Sequence, residues 1–279
     1  MSVKALVVYG LGIGCHAETV KAYQLAGAEA ELIHFNDLAK KKTKINDDVQ
    51  IINFSGGFLH GDILGSAMCA TNELANKFEL IDFLWDFSEK GGVLYGQCSG
   101  FQLLVKSGLL PAFGNDYKQQ TVSLVHNECG YYRVAHVPHK VVSPHFAFSG
   151  IDDLFYLWCR HGEGKIEFGS STSSYSPEQI TEHKAKIAKH VLLSYVDPST
   201  GKITEEFPHN PNGSEQGIAG LSSSNQRIFG HMAHPEVSVL DHTDPEWFKK
   251  KELAKRAANA DRAQPVGLKI FKNIVSELS

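Results

Sequence analysis

Residues 91–104 read GGVLYGQCSGFQLL, and this stretch decides the fold because a strand, a turn and a helix are signalled one after another. Gly92 to Tyr95 is a short apolar run of strand type. From Cys98 an amphipathic run continues to about Ser107, where Gly108 and Pro111 stop it. Between the two, Gly96-Gln97-Cys98-Ser99-Gly100 has the form Gly-x-nucleophile-x-Gly. A strand that turns sharply into a helix brings the flanking backbone together and strains the central residue, so side chains on either flank clash. Such a turn holds the Cys98 thiol over a helix N-terminus, where the dipole and free N–H groups favour a thiolate.

Working outward, Lys4 to Tyr9 is a β-type run followed by a glycine-punctuated turn, a helical stretch from about Ala17 to Ala26 closed by Gly27, and a strand from Ala30 to Phe35. Gln50 to Phe54 is another short strand entering Ser55-Gly56-Gly57, and Asn72 to Phe87 reads as one helix. This alternation predicts an α/β fold, a mainly parallel sheet flanked by helices on both faces. Val122 to Val142 lacks a helical period and reads as antiparallel strands added to that sheet. Ser176-Pro177-Glu178-Gln179 combines an N-cap, a proline at the first helical position and a capping-box glutamine, so a polar helix should run toward Ala188. We expect a surface insertion at about 166–190 in a single domain spanning 1–279. Val191 to Val196 and Lys202 to Phe207 flank a turn sequence and read as a hairpin.

With 279 residues, 42% of them hydrophobic, the chain can bury one substantial core. A formal net charge of -4 argues against nucleic acid, because neutralising phosphates needs a basic excess. Lys40-Lys41-Lys42 and Lys249-Lys250-Lys251 have acidic residues nearby and read as solvated surface. The five cysteines contain no Cys-x-x-Cys pair and fit reduced thiols, hence a cytoplasmic protein. No run is long enough to span a bilayer. No cofactor is expected: Gly10-Leu11-Gly12-Ile13-Gly14 resembles a dinucleotide fingerprint, but Cys15 stands where the third glycine belongs. No metal is expected either, because Pro235 argues against a helix presenting His231 and His234 together.

A thiol nucleophile needs a base and an oxyanion hole. The best base is His234 in Gly230-His231-Met232-Ala233-His234-Pro235-Glu236, which follows a strand-like run from Gln226 to Phe229. In an extended segment positions i and i+2 share a side, so Glu236 can reach the His234 ring across the stiff Pro235. The histidine takes the thiol proton and the glutamate fixes its tautomer. One oxyanion donor is the Ser99 N–H; a second can come from Ser55-Gly56-Gly57-Phe58.

These residues resemble the class I glutamine amidotransferases, whose signature Gly-x-Cys-x-Gly-x-Gln is matched by Gly96 to Gln102 and whose His-Pro-Glu is matched by His234 to Glu236. More finely, the chain is similar to the glutaminase subunits of phosphoribosylformylglycinamidine (FGAM) synthase, through Gly56-Gly57-Phe58 with Gly61-Asp62, His161-Gly162-Glu163-Gly164, and Asn210-Pro211-Asn212-Gly213-Ser214 followed by Ile218-Ala219-Gly220. These lie in order across nearly the whole chain. Ser55, Ser99, Ala233, Val237 and Gly14-Cys15-His16 depart from that pattern without removing a catalytic group.

The resemblance implies a flavodoxin-like fold, glutamine as substrate, and a Cys98-His234-Glu236 triad. It also implies Gly57 and Ser99 as oxyanion donors, Gln102, Gly56 and Phe58 as substrate-binding residues, and a loop from His161 to Gly164 near the site mouth. The ammonia would pass to a separate ATP-dependent FGAM synthetase subunit, with a small accessory subunit as a further partner; the chain has no Gly-x-x-x-x-Gly-Lys phosphate loop of its own. A stand-alone cysteine hydrolase of the γ-glutamyl hydrolase type and a non-catalytic interaction subunit stay open, because fold and nucleophile alone do not fix a substrate.

Overall fold

The computed structural model describes residues 2–41, 45, 48–169, 175–256 and 264–279. The first strands are β1 (Lys4–Tyr9), β2 (Glu29–His34), β3 (Ile51–Phe54), β4 (Val93–Gln97), β5 (Ser123–His126) and β6 (Arg133–Val141). The remainder are β7 (Phe155–His161), β8 (Glu163–Glu167), β9 (Val191–Asp197), β10 (Lys202–Ile203), β11 (Ile218–Ser222) and β12 (Ile228–His231). One sheet runs β2-β1-β3-β4-β12-β11-β9-β6-β7, with β10 paired to β9. From β2 to β12 neighbouring strands are parallel. Beyond β12 the added strands are antiparallel.

The inner parallel strands β1, β3, β4 and β12 are buried on both faces, as crossover helices require, whereas the edge strand β2 is largely exposed. Ala5 and Val7 of β1, Ile51 of β3 and Tyr95 of β4 face one core, with α1 (His16–Leu25) and α8 (Val266–Glu277) packed over them. Leu6 and Val8, Ile52 and Leu94 face the other, with α2 (Phe35–Lys41), α3 (Met68–Asn72), α4 (Ile81–Glu89) and α5 (Ser99–Lys106) on that side. Strict alternation of two buried faces explains why these strands read as continuous apolar runs.

Several local expectations are corrected. The strand expected to reach Phe35 ends at His34, and Phe35 opens α2. The single helix over Asn72 to Phe87 is two: a π-turn over Glu73–Lys77 follows α3, Glu79 takes φ 50°, and α4 starts at Ile81. No proline or glycine signals that break. It rephases the chain so that Leu74, Leu80 and Leu84 all reach the same core, closed by a hydrogen bond from Leu80 N to Leu74 O. Of the strands in Val122–Val142, only β6 joins the main sheet; β5 pairs with β8 in a separate two-stranded ribbon. The hairpin arm after Gly201 is just β10, with one further bond to β9 from Thr204 N to Tyr195 O at 3.1 Å.

Ser176 caps α6 (Pro177–Lys186): its hydroxyl accepts from Gln179 N, and the Gln179 side-chain Oε1 accepts from Ser176 N. No residue of α6 is buried, although Ile180 packs partly against the core. Residues 170–174 of the expected insertion, and Lys42 of the first lysine run, lie outside the described residues. In the other run, Lys249 pairs with Glu246 and Lys250 with Asp244 at the start of α7 (Trp247–Arg256).

Candidate active site

β3, β4 and β12 are parallel neighbours, so their carboxyl ends fall on one edge of the sheet, with Phe54 beside Gly96 and His231 beside Gln97. Loops leaving that edge form the site, the usual place for a ligand in such a sheet. Cys98 sits between β4 and α5 with φ 51° and ψ -111°, a strained conformation, and its N–H is held by His231 O at 2.9 Å. The elbow glycines are demanded by contact. A Cβ on Gly96 would meet Gly100 backbone at 2.6 Å, and one on Gly100 would meet Phe54 O at 1.9 Å. Gly100→Ala is therefore expected to lower stability by about 3 kcal/mol, the upper range for overpacking, as read by denaturant unfolding. An unchanged midpoint would show that the elbow relaxes freely.

His234 and Glu236 are buried, and His234 Nδ1 donates to Glu236 Oε1 at 2.6 Å. The link between them is not extended as expected. Pro235–Val237 is a 3-10 turn, which brings the carboxylate back to the ring by curling rather than by alternation. Because Nδ1 carries the proton, Nε2 is left as the base, and it has no hydrogen-bond partner among the described residues. Burial opposes the charged ring, but Glu236, Cys98 and Cys15 outweigh it and hold the imidazole well above its usual range. The segment is anchored by His234 N to Trp158 O at 2.8 Å and by a bridge between Cys159 and Ala233.

The glycine-rich turn after β1 forms one wall of this site. A Cβ on Gly12 would meet Phe58 O at 1.9 Å, and one on Gly57 would meet Gly12 O and Gly14 N at 2.7 Å. The two turns are stitched by Phe58 N to Gly12 O and Cys15 N to Gly56 O, neither of which uses the Gly57 N–H. Those glycines thus serve close packing of two loops. Gly56 does not line the cavity; a Cβ there would strike His234 Cε1 at 2.7 Å and Cys98 Cβ at 3.2 Å, so its bareness lets base and nucleophile close together. Ser99 is buried in the first turn of α5, whose N–H groups have no intrahelical acceptor.

A cavity of about 270 Å³ opens over Cys98 and His234, lined also by Gly57, Phe58, Gln102 and Tyr132. The Phe58 and Tyr132 rings lie 5.9 Å apart, with each side chain half exposed. Gln102 accepts from Ser66 Oγ at 2.7 Å and donates to Glu163 O at 2.6 Å. Ser66 lies in a loop in which His60, Asp62, Leu64 and Ala67 all have positive φ, backbone strain of the kind stored at functional sites.

The loop from His161 to Glu163 does line the cavity. Asn127 Nδ2 donates to His161 O and Tyr131 O, so its Oδ1 must accept from His161 Nδ1. Asn212 Nδ2 and Ser214 Oγ both bond Gly164 O, so the Asn210–Ser214 motif buttresses the His161–Gly164 motif.

Sequence reasoning missed Cys15, Arg160 and Ser66. Cys15 Sγ lies 3.6 Å from His234 Nδ1, and Cys15, His234 and Glu236 place three donor atoms within 4.8 Å of one another. Only folding of the β1 turn against the His234 loop brings them together, so no spacing could have signalled it.

The chain matches the model of the CobB/CobQ-like glutamine amidotransferase domain over residues 2–276. It belongs to that family. Among relatives of this glutamine amidotransferase, the phosphoribosylformylglycinamidine synthase subunit PurQ of Methanococcus maripaludis is 37% identical over 275 residues, covering 98% of this chain and 96% of the relative. The protein of the same name from Dehalococcoides mccartyi is 35% identical, with the same coverage. The amidotransferase fold is shared with a chain in the structure of PurLQS from Thermotoga maritima, at TM-score 0.69 and 21% identity over the full length of both.

Proposed function

We infer that this amidotransferase is the glutaminase subunit of a phosphoribosylformylglycinamidine synthase. The observation that carries the chemistry is the His234–Glu236 hydrogen bond at the wall of the cavity that also exposes Cys98. High-coverage similarity to subunits of that name supports the pathway assignment. Cys98 attacks the side-chain amide carbon of glutamine, and His234 Nε2 takes the thiol proton and delivers it to the departing ammonia. Water, deprotonated by the same nitrogen, then cleaves the γ-glutamyl thioester to glutamate and restores the thiol. Ser99 and Gly57 N–H groups face the developing oxyanion, Gln102 holds the substrate's polar α-substituents, and Phe58 screens the mouth, with Gly56 giving the space.

Ammonia passes to the ATP-dependent synthetase subunit, which turns formylglycinamide ribonucleotide into the amidine. A small accessory subunit and a cytoplasmic location belong to the same reading; all five cysteines are free, and no helix among the described residues is long and apolar enough to cross a membrane. Glutamate release by the purified chain should rise at least about tenfold when synthetase subunit, formylglycinamide ribonucleotide and ATP are added. Fast release indifferent to the partner would favour a stand-alone hydrolase. Failure of a thiol-reactive glutamine analogue to label Cys98 in the complex would favour an interaction role.

A further inference from the structure

Within the catalytic cavity, Arg160 is the only lysine or arginine among the lining residues, whereas Glu18, Asp62 and Glu163 supply carboxylates. The one buried lysine nearby, Lys106, is engaged with Ser66 O and Glu163 behind the wall. Arg160 has no such partner. No carboxylate lies within 4.0 Å of its guanidinium among the described residues, and the hydrogen-bond contact its side chain makes there is to Cys15 Sγ, 4.0 Å from Nη2. Burial raises the Cys15 pKa, so that neighbour is a neutral thiol and offers no counter-charge. A half-buried guanidinium with no carboxylate in ion-pair reach is costly unless a ligand supplies one.

The main chain of the same residue is pinned at the nucleophile: Arg160 O accepts from Cys98 Sγ at 3.7 Å and from Tyr132 Oη at 3.0 Å. From that anchor its side chain reaches about as far as the glutamine skeleton extends from carboxamide to α-carboxylate. We propose that Arg160 binds the α-carboxylate of glutamine and so selects free glutamine over amides that lack that group. A planar guanidinium matches a carboxylate through two parallel N–H···O bonds. The acidic wall of Asp62 and Glu163, with Gln102, is left for the α-ammonium. Since a site built around an ionic contact rejects a substrate lacking its partner, Arg160 is a specificity residue rather than part of the proton relay.

The proposal rests on the glutaminase reading, and its test separates the two. Glutaminase kinetics are measured on the assembled complex for wild type, Arg160→Lys and Arg160→Gln, with glutamine and with 4-aminobutanamide, which keeps the amide and amine but has no carboxylate. Loss of a charge-assisted pair should raise KM for glutamine about 10- to 100-fold in Arg160→Gln, with a smaller rise in Arg160→Lys and kcat reduced far less than KM is raised. The preference of wild type for glutamine over 4-aminobutanamide should shrink by a similar factor. An unchanged preference, or a loss confined to kcat, overturns the carboxylate assignment while leaving the glutaminase standing. If Arg160→Gln is too poorly folded to assay, Arg160→Lys alone decides, because a retained charge with an unchanged KM and preference is incompatible with a bidentate clamp. Absence of glutamate release by wild type overturns both.

Discussion

With Cys98→Ala in the assembled complex, glutamine-dependent amidine formation should fall by at least about 10³-fold, while the reaction driven by added ammonium salt continues at the wild-type rate. The physical basis is that the thiol is the one nucleophile in the cavity positioned by the elbow, whereas it contributes little to packing. Cys98 is 5% exposed, and its thiol makes a weak hydrogen bond to Arg160 O. Alanine at φ 51° is strained no more than cysteine, so the elbow persists. The assay needs both nitrogen sources side by side. Loss of the ammonium-driven reaction as well would mean that the substitution disrupts the subunit contact, and survival of the glutamine-driven one would remove Cys98 from the mechanism.

A second large effect is expected from acid. His139 and His145 are buried and pushed down to about 4, and His161 and His231 to about 3, in each case by burial. In the unfolded chain these rings titrate near 6.5. The folded values are depressed, so below pH 6.5 the unfolded state binds protons that the native state refuses, and stability is lost as pH falls toward 4. Each fully developed difference removes about 1.4 kcal/mol per pH unit. Four together remove about 5 kcal/mol per unit, against a total stability of about 5–15 kcal/mol for a typical domain. His234 runs the other way: its raised value gives stability that is complete below pH 6.5 and fades as pH climbs through the folded value. Cooperative unfolding should therefore set in between about pH 6 and 4.5. Denaturant unfolding at half-unit steps of pH measures the proton uptake directly; an uptake below one proton per chain over this window contradicts the buried neutral histidines.

The parallel half of the sheet was legible because its inner strands are short apolar runs, and Lys4–Tyr9 fell on β1 residue for residue. The elbow was legible for a related reason: its glycines obey a steric rule that acts between neighbours in sequence. The break between α3 and α4 was not, since a π-turn and a left-handed Glu79 carry no compositional mark and are imposed by the need to bury Leu74, Leu80 and Leu84 together. The partner of β5 was equally hidden. Ser123 to His126 has the alternation of a sheet strand, but alternation does not say which strand it will meet, and it meets β8.

What the sequence determined by itself is the set of local constraints: a thiol on a strained strand-to-helix turn, a histidine two residues before a glutamate, and capped or glycine-closed helix ends. These depend on contacts between residues a few positions apart, so composition and spacing encode them. Tertiary structure alone decided which distant groups share the cavity. It curls Pro235–Val237 so that Glu236 reaches His234, sets Cys15 beside that ring, packs Gly12 against Phe58, and puts Arg160 on the cavity wall with no carboxylate in ion-pair reach among the described residues. Each of these juxtapositions follows from the order in which strands are laid into the sheet, a property of the whole chain that no short window of residues carries.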